Sequence, residues 1–176
     1  MNRRATLTLT PMAFLCLALV LPAGSAVAQQ KQHVSYKTSA ANTKYAQQLN
    51  VDAGDAPGHI VRVWDLTRNH RENPPIINGI KLVEETARGI TDVIDGNGTA
   101  TFYSVFTMEN GDKIFARSVQ ASTGDSGTIT AIAAGPITGG TGKFEQIHGV
   151  VKFAVKFNVT SGFNEGQADI DYWIGK

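Results

Sequence analysis

Cysteine occurs once in the 176 residues, at Cys16, inside a segment expected to be removed on export. The chain left after that removal can form no disulfide, and it has no thiol nucleophile and no thiolate metal site. Its stability must rest on an ordinary apolar core, and a chain of this length can bury one without staples. Histidine is also sparse, and His59, His70 and His148 are too scattered to give a His-x-x-x-His metal spacing. No serine sits in a Gly-x-Ser-x-Gly elbow, which leaves a hydrolase triad without support. Charge of one sign is not in excess. Without Arg3 and Arg4, the 16 Lys and Arg fall to 14 against 15 Asp and Glu. That balance offers no electrostatic footprint for nucleic acid or for an anionic membrane. Stretches with a 3.6-residue apolar period are missing too, which argues against a helical domain.

The one long apolar run lies near the start. Arg3 and Arg4 form a basic region, Met12 to Leu21 an apolar region, and Ala26-Val27-Ala28 a small-x-small cleavage signal. Together they predict a secretory signal peptide over residues 1–28, cut near Ala28. Ten strongly apolar residues are too few to span a bilayer. The expectation is therefore a secreted or periplasmic protein with no membrane span once mature. The tract that follows, residues 29–57, is polar and weakly patterned, and it predicts an arm leading into a single domain over residues 58–176.

From His59 onward the chain reads as strands. Turn signals recur at Asp95-Gly96-Asn97-Gly98, Glu109-Asn110-Gly111-Asp112 and Asp125-Ser126-Gly127, of the kind that closes tight hairpins. Between them, residues 99–108, 113–122 and 128–137 have strand lengths. In the next segment Val151, Phe153, Val155, Phe157 and Val159 alternate with Lys152, Ala154, Lys156 and Asn158, a period of two. In the last, Ala168, Ile170, Tyr172 and Ile174 oppose Gln167, Asp169, Asp171 and Trp173. Adding His59–Leu66, Ile80–Glu85 and Arg88–Ile94 gives about eight strands. The expected fold is all-β, a single eight-stranded antiparallel β-barrel with a polar N-terminal arm, since closure removes exposed edges and encloses room for side chains or one small ligand.

Between two of these strands lies Thr138-Gly139-Gly140-Thr141-Gly142-Lys143-Phe144-Glu145. A phosphate-cradling loop would need a following helix and a Lys-Ser/Thr pair, and neither is present. The glycines instead suit a tight crossing in which Phe144 plugs one end of the barrel. The run resembles the Thr-Gly-Gly-(Ser/Thr)-Gly-x-Phe-Glu segment of plant allene oxide cyclases and, more loosely, of dirigent proteins, which share an eight-stranded barrel around an apolar cavity. A second stretch adds to the likeness. Val63-Trp64-Asp65-Leu66-Thr67 and Arg71-Glu72-Asn73-Pro74 are similar to the cyclases' Val-Tyr-Glu-Ile-Asn strand and Arg-Gly-Ser-Pro loop.

The resemblance implies that Asp65, Thr67, Asn73 and Pro74 surround the reacting end of a substrate, with aspartate standing for glutamate and threonine for asparagine. Val63, Asp65 and Thr67 share one side of a regular strand, with Trp64 and Leu66 on the other. On this reading Asp65 and the Arg68 to Pro74 loop form the mouth of a cavity; an ion pair of Asp65 with Arg68 or Arg71 at the rim is the plainer alternative. Three functions remain open. The first is a barrel binding a small apolar, lipid-like molecule in its lumen. The second is a cofactor-independent isomerase or cyclase that resembles allene oxide cyclase. The third is a secreted structural homo-oligomer. None of these readings calls for a cofactor or a metal.

Overall fold

The computed structural model describes residues 30–158 and 160–175, so the expected leader and Val159 lie outside the described residues. Among the described residues ten antiparallel strands form one sheet: β1 (Gln32–Ser39), β2 (Thr43–Asp52), β3 (His59–Asn69), β4 (Ile76–Ile77), β5 (Ile80–Ile94), β6 (Asn97–Met108), β7 (Lys113–Asp125), β8 (Thr128–Gly140), β9 (Ile147–Phe157) and β10 (Asn164–Ile174). The helical residues described are two single 3-10 turns, Ala40–Asn42 and Gly142–Phe144. The order across the sheet is β1-β10-β9-β8-β7-β6-β5-β3-β2, with β4 paired to β5 off this path.

That order requires the sheet to roll. With strands about 4.8 Å apart, a flat arrangement would hold β1 and β2 roughly 38 Å from each other. The three residues Ala40–Asn42 join them, and so short a link reaches about 14 Å at most. The two edges therefore meet. β1 and β2 run in the same direction along the rolled sheet and act as one strand that changes partner, from β10 to β3. Among the described residues no backbone ladder joins β1 to β2.

Two expectations are corrected here. The polar tract over residues 29–57 is not an arm, because its residues supply β1 and β2. It read as irregular because β2 is half-buried at Thr43 and exposed at every other position, and a strand without a buried face carries no apolar alternation. The two segments expected at Ile80–Glu85 and Arg88–Ile94 are one continuous strand, β5, with a bulge between Leu82 and Glu84. The extra residue shifts the parity, so Leu82 and Glu85 both turn inward and a search for strict alternation breaks at that point.

The hairpin signals hold. Asp95 and Gly96 both have positive φ, 49° and 81°, as do Ser126 and Gly127, 48° and 82°, which is what a two-residue turn matched to strand twist requires. Val151 and Phe153 are buried and Val155 and Phe157 half-buried, while Lys152, Ala154 and Lys156 are exposed. Ala168, Ile170 and Tyr172 are buried, with Ile174 half-buried beside them.

The interior is filled unevenly. Toward the turn between β6 and β7 it is packed by Ile77, Leu82, Phe106, Met108, Ile114, Phe144, Ile147 and Ile170, each worth about 1.5–3 kcal/mol of burial. Phe144 is the plug expected of the glycine loop. Its carbonyl and Cβ lie where a Cβ on Gly140 would stand, 2.5 and 2.7 Å away, so glycine there is what lets Phe144 in. The opposite end, near the turn between β5 and β6, is open.

Candidate functional site

Every second residue of β3 faces inward. Trp64, Leu66 and Arg68 do so, while Val63, Asp65, Thr67 and Asn69 take the outer face. Across the register, Gly89, Ala87 and Glu85 of β5 oppose Trp64, Leu66 and Arg68, and Phe102 of β6 opposes Gly89. Gly89 is needed there, since an added Cβ would meet Trp64 Cζ2 at 2.6 Å and Phe102 Cβ at 2.6 Å. The Trp64 indole lies over this gap and its Nε1–H donates to Thr91 Oγ1 at 2.9 Å.

These residues wall a cavity of about 370 Å³. Trp64, Leu66, Phe102, Phe153, Val155 and Phe157 make it largely apolar, and Phe102 lies 5.6 Å from the Trp64 ring and 5.8 Å from that of Phe153. Gly58, Asp95, Gly96, Gly162 and Phe163 stand at its mouth, and Arg68 closes its inner end. Asp95 is the one carboxylate among the described lining residues.

Behind Arg68 lies a buried polar group assembled from three strands. Arg68 Nη1 donates to Glu85 Oε1 at 2.8 Å, and the Tyr36 hydroxyl donates to Glu85 Oε2 at 3.2 Å. His70 Nε2 is 3.8 Å from Glu85 Oε2, and its ring meets that of Tyr36 edge-on, 5.1 Å between centroids. Burial pushes the Glu85 carboxyl up, but the Arg68 charge, the nearby His70 ring and the bond from Tyr36 outweigh it and hold the group below its ordinary range. Burial, with Glu85 beside it, pushes the Tyr36 hydroxyl well above its ordinary value, so it remains a donor. Among the described residues Arg68 Nε and His70 Nε2 are buried without a hydrogen-bond partner.

The residues expected to act together do not converge on this cavity. Asp65, expected to face it, lies on the outer face and accepts a hydrogen bond from Arg88 Nε at 2.9 Å; its plainer role as one half of an ion pair is met, with Arg88 rather than Arg68 or Arg71. Thr67 shares that outer face and is half-buried. Asn73 is exposed and Pro74 half-buried, in the connection between β3 and β4. That connection is not the mouth either. It covers the packed end, sending Ile77 into the core and donating from His70 N to Val83 O at 3.0 Å. The strand runs into charge because Arg68 and His70 point inward to Glu85, while the polar residues beyond them cap the closed end.

Parity alone could not have chosen the inner face. Ile60, Trp64 and Leu66 on one side and Val61, Val63 and Thr67 on the other are about equally apolar, and each side carries charge. The usable signal was Arg68 with Glu85, one cation and one acid on neighbouring strands, and the bulge at Leu82 hid its phase. Tyr103 is exposed beneath the Arg117 guanidinium, 5.8 Å above its ring. Tyr172 is buried and donates to Gln32 Oε1 at 2.6 Å while accepting from Asn78 N at 2.7 Å. Among the described residues no group of three His, Cys, Asp or Glu is placed to hold a metal, and no helix is long and apolar enough to cross a membrane.

No family model matches the sequence, and no curated protein matches it in sequence. In three dimensions the chain is similar to a pterocarpan synthase dirigent protein, with a TM-score of 0.50 and 16% identity over 84% of this chain and 87% of that one. A second pterocarpan synthase dirigent protein aligns with a TM-score of 0.46 and 16% identity over 84% and 96%, and pyocyanin demethylase with 0.42 and 15% over 81% and 99%. The first of these likenesses identifies the fold as a dirigent-like β-barrel. At this identity it carries no chemistry across.

Proposed function

We propose that the chain is an exported barrel that holds one small, largely apolar molecule in its cavity, with the closed barrel completed by the strand formed from β1 and β2. The observation that carries this reading is the cavity of about 370 Å³, walled by Trp64, Phe102 and Phe153 and ending on the buried cation Arg68. A mostly apolar pocket with few convergent polar groups is the usual design for such ligands. Its volume equals about a dozen waters at ~30 Å³ each, room for a molecule of two or three rings. Export rests on the basic, apolar and small-x-small pattern over residues 1–28, and N-terminal sequencing of protein from the exported fraction tests it.

The reading is checked by titration with N-phenyl-1-naphthylamine, a neutral two-armed aromatic probe. Saturable binding at one per chain is expected, and Val93→Trp, which fills the outer part of the cavity, should weaken it about tenfold or more by removing that space. Absence of saturable binding, or indifference to Val93→Trp, sinks the proposal. Native mass spectrometry of protein from its own host would reveal a natural passenger.

A cofactor-independent isomerase resembling allene oxide cyclase is the second reading, supported by the Thr138 to Glu145 run and by the same cavity. Binding is preferred because Asp95, at the mouth, is the one described lining group able to act as a carboxylate base. Self-association is proposed through the outer face, where Leu49, Val63 and Ile90 are exposed side by side in one register row. Sedimentation of Ile90→Lys against the parent checks it.

A further inference from the structure

The inner end of the cavity sets the charge of what it accepts. Arg68 forms part of the cavity wall, and its side chain is 7% exposed. A guanidinium has five N–H donors, and among the described residues Arg68 makes one side-chain bond, to Glu85. Spare donors are therefore held at the end of an apolar chamber. The charge on Arg68 is nevertheless spoken for, because Glu85 is fully buried and lies 2.8 Å away. The remaining groups facing Glu85 are Tyr36, a neutral donor, and His70, which adds charge only when protonated.

An anionic head placed here would be a second negative charge against one cation, in surroundings too dry to screen it. A neutral acceptor needs only a donor, and Arg68 has donors to spare. Resting on the binding reading above, we propose that the cavity selects ligands with an uncharged carbonyl-type oxygen seated on Arg68 over ligands with a carboxylate, and that Glu85 is the residue that imposes this choice.

The test uses a matched pair, 2-acetylnaphthalene and 2-naphthoate, titrated under identical conditions and followed by quenching of tryptophan fluorescence in a Trp173→Phe background, so that Trp64 alone reports. The ketone is expected to bind at least about tenfold more tightly, the scale of an unmatched buried charge. Glu85→Gln keeps shape and removes the counter-charge, so the preference should shrink about tenfold or reverse toward 2-naphthoate. The double variant Arg68→Met/Glu85→Gln replaces the pair without stranding a charge, a change buried pairs tolerate. It should lose the ketone's advantage by weakening ketone binding itself, and it keeps the test open if Glu85→Gln does not fold. Equal or tighter binding of 2-naphthoate by the parent chain, or unchanged ketone affinity in the double variant, overturns the inference while leaving the binding reading standing. Failure of both compounds to bind removes the two together.

Discussion

Arg68 and Glu85 meet inside the rolled sheet, with Arg68 Nη1 2.8 Å from Glu85 Oε1 and the two side chains 7% and 0% exposed. The pair lies at the border between the packed half of the interior and the empty half. It ties β3 to β5, and through the Tyr36 hydroxyl it reaches β1, which among the described residues shares no backbone ladder with either strand. Its removal in halves and as a whole should therefore differ. Glu85→Gln alone leaves a buried, unbalanced guanidinium and is expected to cost about 3–5 kcal/mol. Arg68→Met/Glu85→Gln should cost clearly less than the sum of its single changes. Urea unfolding of the four proteins measures this, and additive losses would mean the two charges are not coupled.

The same carboxylate makes an acid-side prediction. Glu85 titrates below its ordinary value of 4.5 in the folded chain, so the unfolded chain takes up its proton first as pH falls. Its contribution is whole above 4.5 and is lost as pH drops through the lower folded value. Stability followed by urea midpoint from pH 6 to pH 3 should fall more steeply for the parent than for Glu85→Gln. Parallel curves would show that Glu85 is not the carboxylate responsible.

Much of the fold was legible in the sequence, and the site was not, for one physical reason. Strands with one buried face, such as β9 with Val151 and Phe153 against Lys152 and Lys156, announce themselves by alternation. The turns at Asp95-Gly96 and Ser126-Gly127 announce themselves by residues that tolerate positive φ. The wall of the cavity that carries Arg68 lies where alternation fails. β2 has no buried face, β3 is mixed on both faces, and the bulge at Leu82 resets the phase of β5 just before Glu85. Motif likeness then drew attention to Asp65, one residue out of phase with the interior. The pairing of Arg68 with Glu85 depends on which residues oppose one another across strands, and periodicity along one strand does not carry that.

Two glycines separate strain from close approach. Gly79 has φ 77° and nothing within 4 Å of an added Cβ, so Gly79→Ala should cost only the left-handed penalty of about 1–2 kcal/mol. Gly135 has no such φ, but a Cβ there would lie 1.8 Å from the Arg117 carbonyl oxygen and 2.7 Å from Ser118 Cα. Backbone cannot swing aside as a side chain can, and the β7–β8 ladder already skips this stretch, passing from the Ala116–Ile137 pair to the Val119–Ala134 pair. Gly135→Ala is therefore expected to be the more damaging change, at about 3 kcal/mol or more. Thermal unfolding of the two variants decides it, and a larger loss at Gly79 would refute the close-approach account.

His59 makes the opposite pH prediction at the other end of the barrel. Its Nε2 is 2.8 Å from Asp92 Oδ1 and its Nδ1 bonds Asp55, so one imidazole clasps the loop after β2 to β5 beside the cavity mouth. Hydrogen bonds donated to Asp92 and Asp55 raise its pKa above the ordinary 6.5. A group with a raised folded value stabilises fully below 6.5 and loses that contribution as pH rises through the folded value. The clasp should thus hold at pH 6 and loosen at pH 9. Its reporters are the Ala53 N–H, which donates to His59 O, and the Asp95 N–H, which donates to Gly58 O. Their hydrogen-exchange protection factors should drop between pH 6 and pH 9 in the parent, while in His59→Gln they should be low at both values. Protection that is unchanged in the parent, or that falls equally in His59→Gln, would detach the mouth loop from the charge on this histidine.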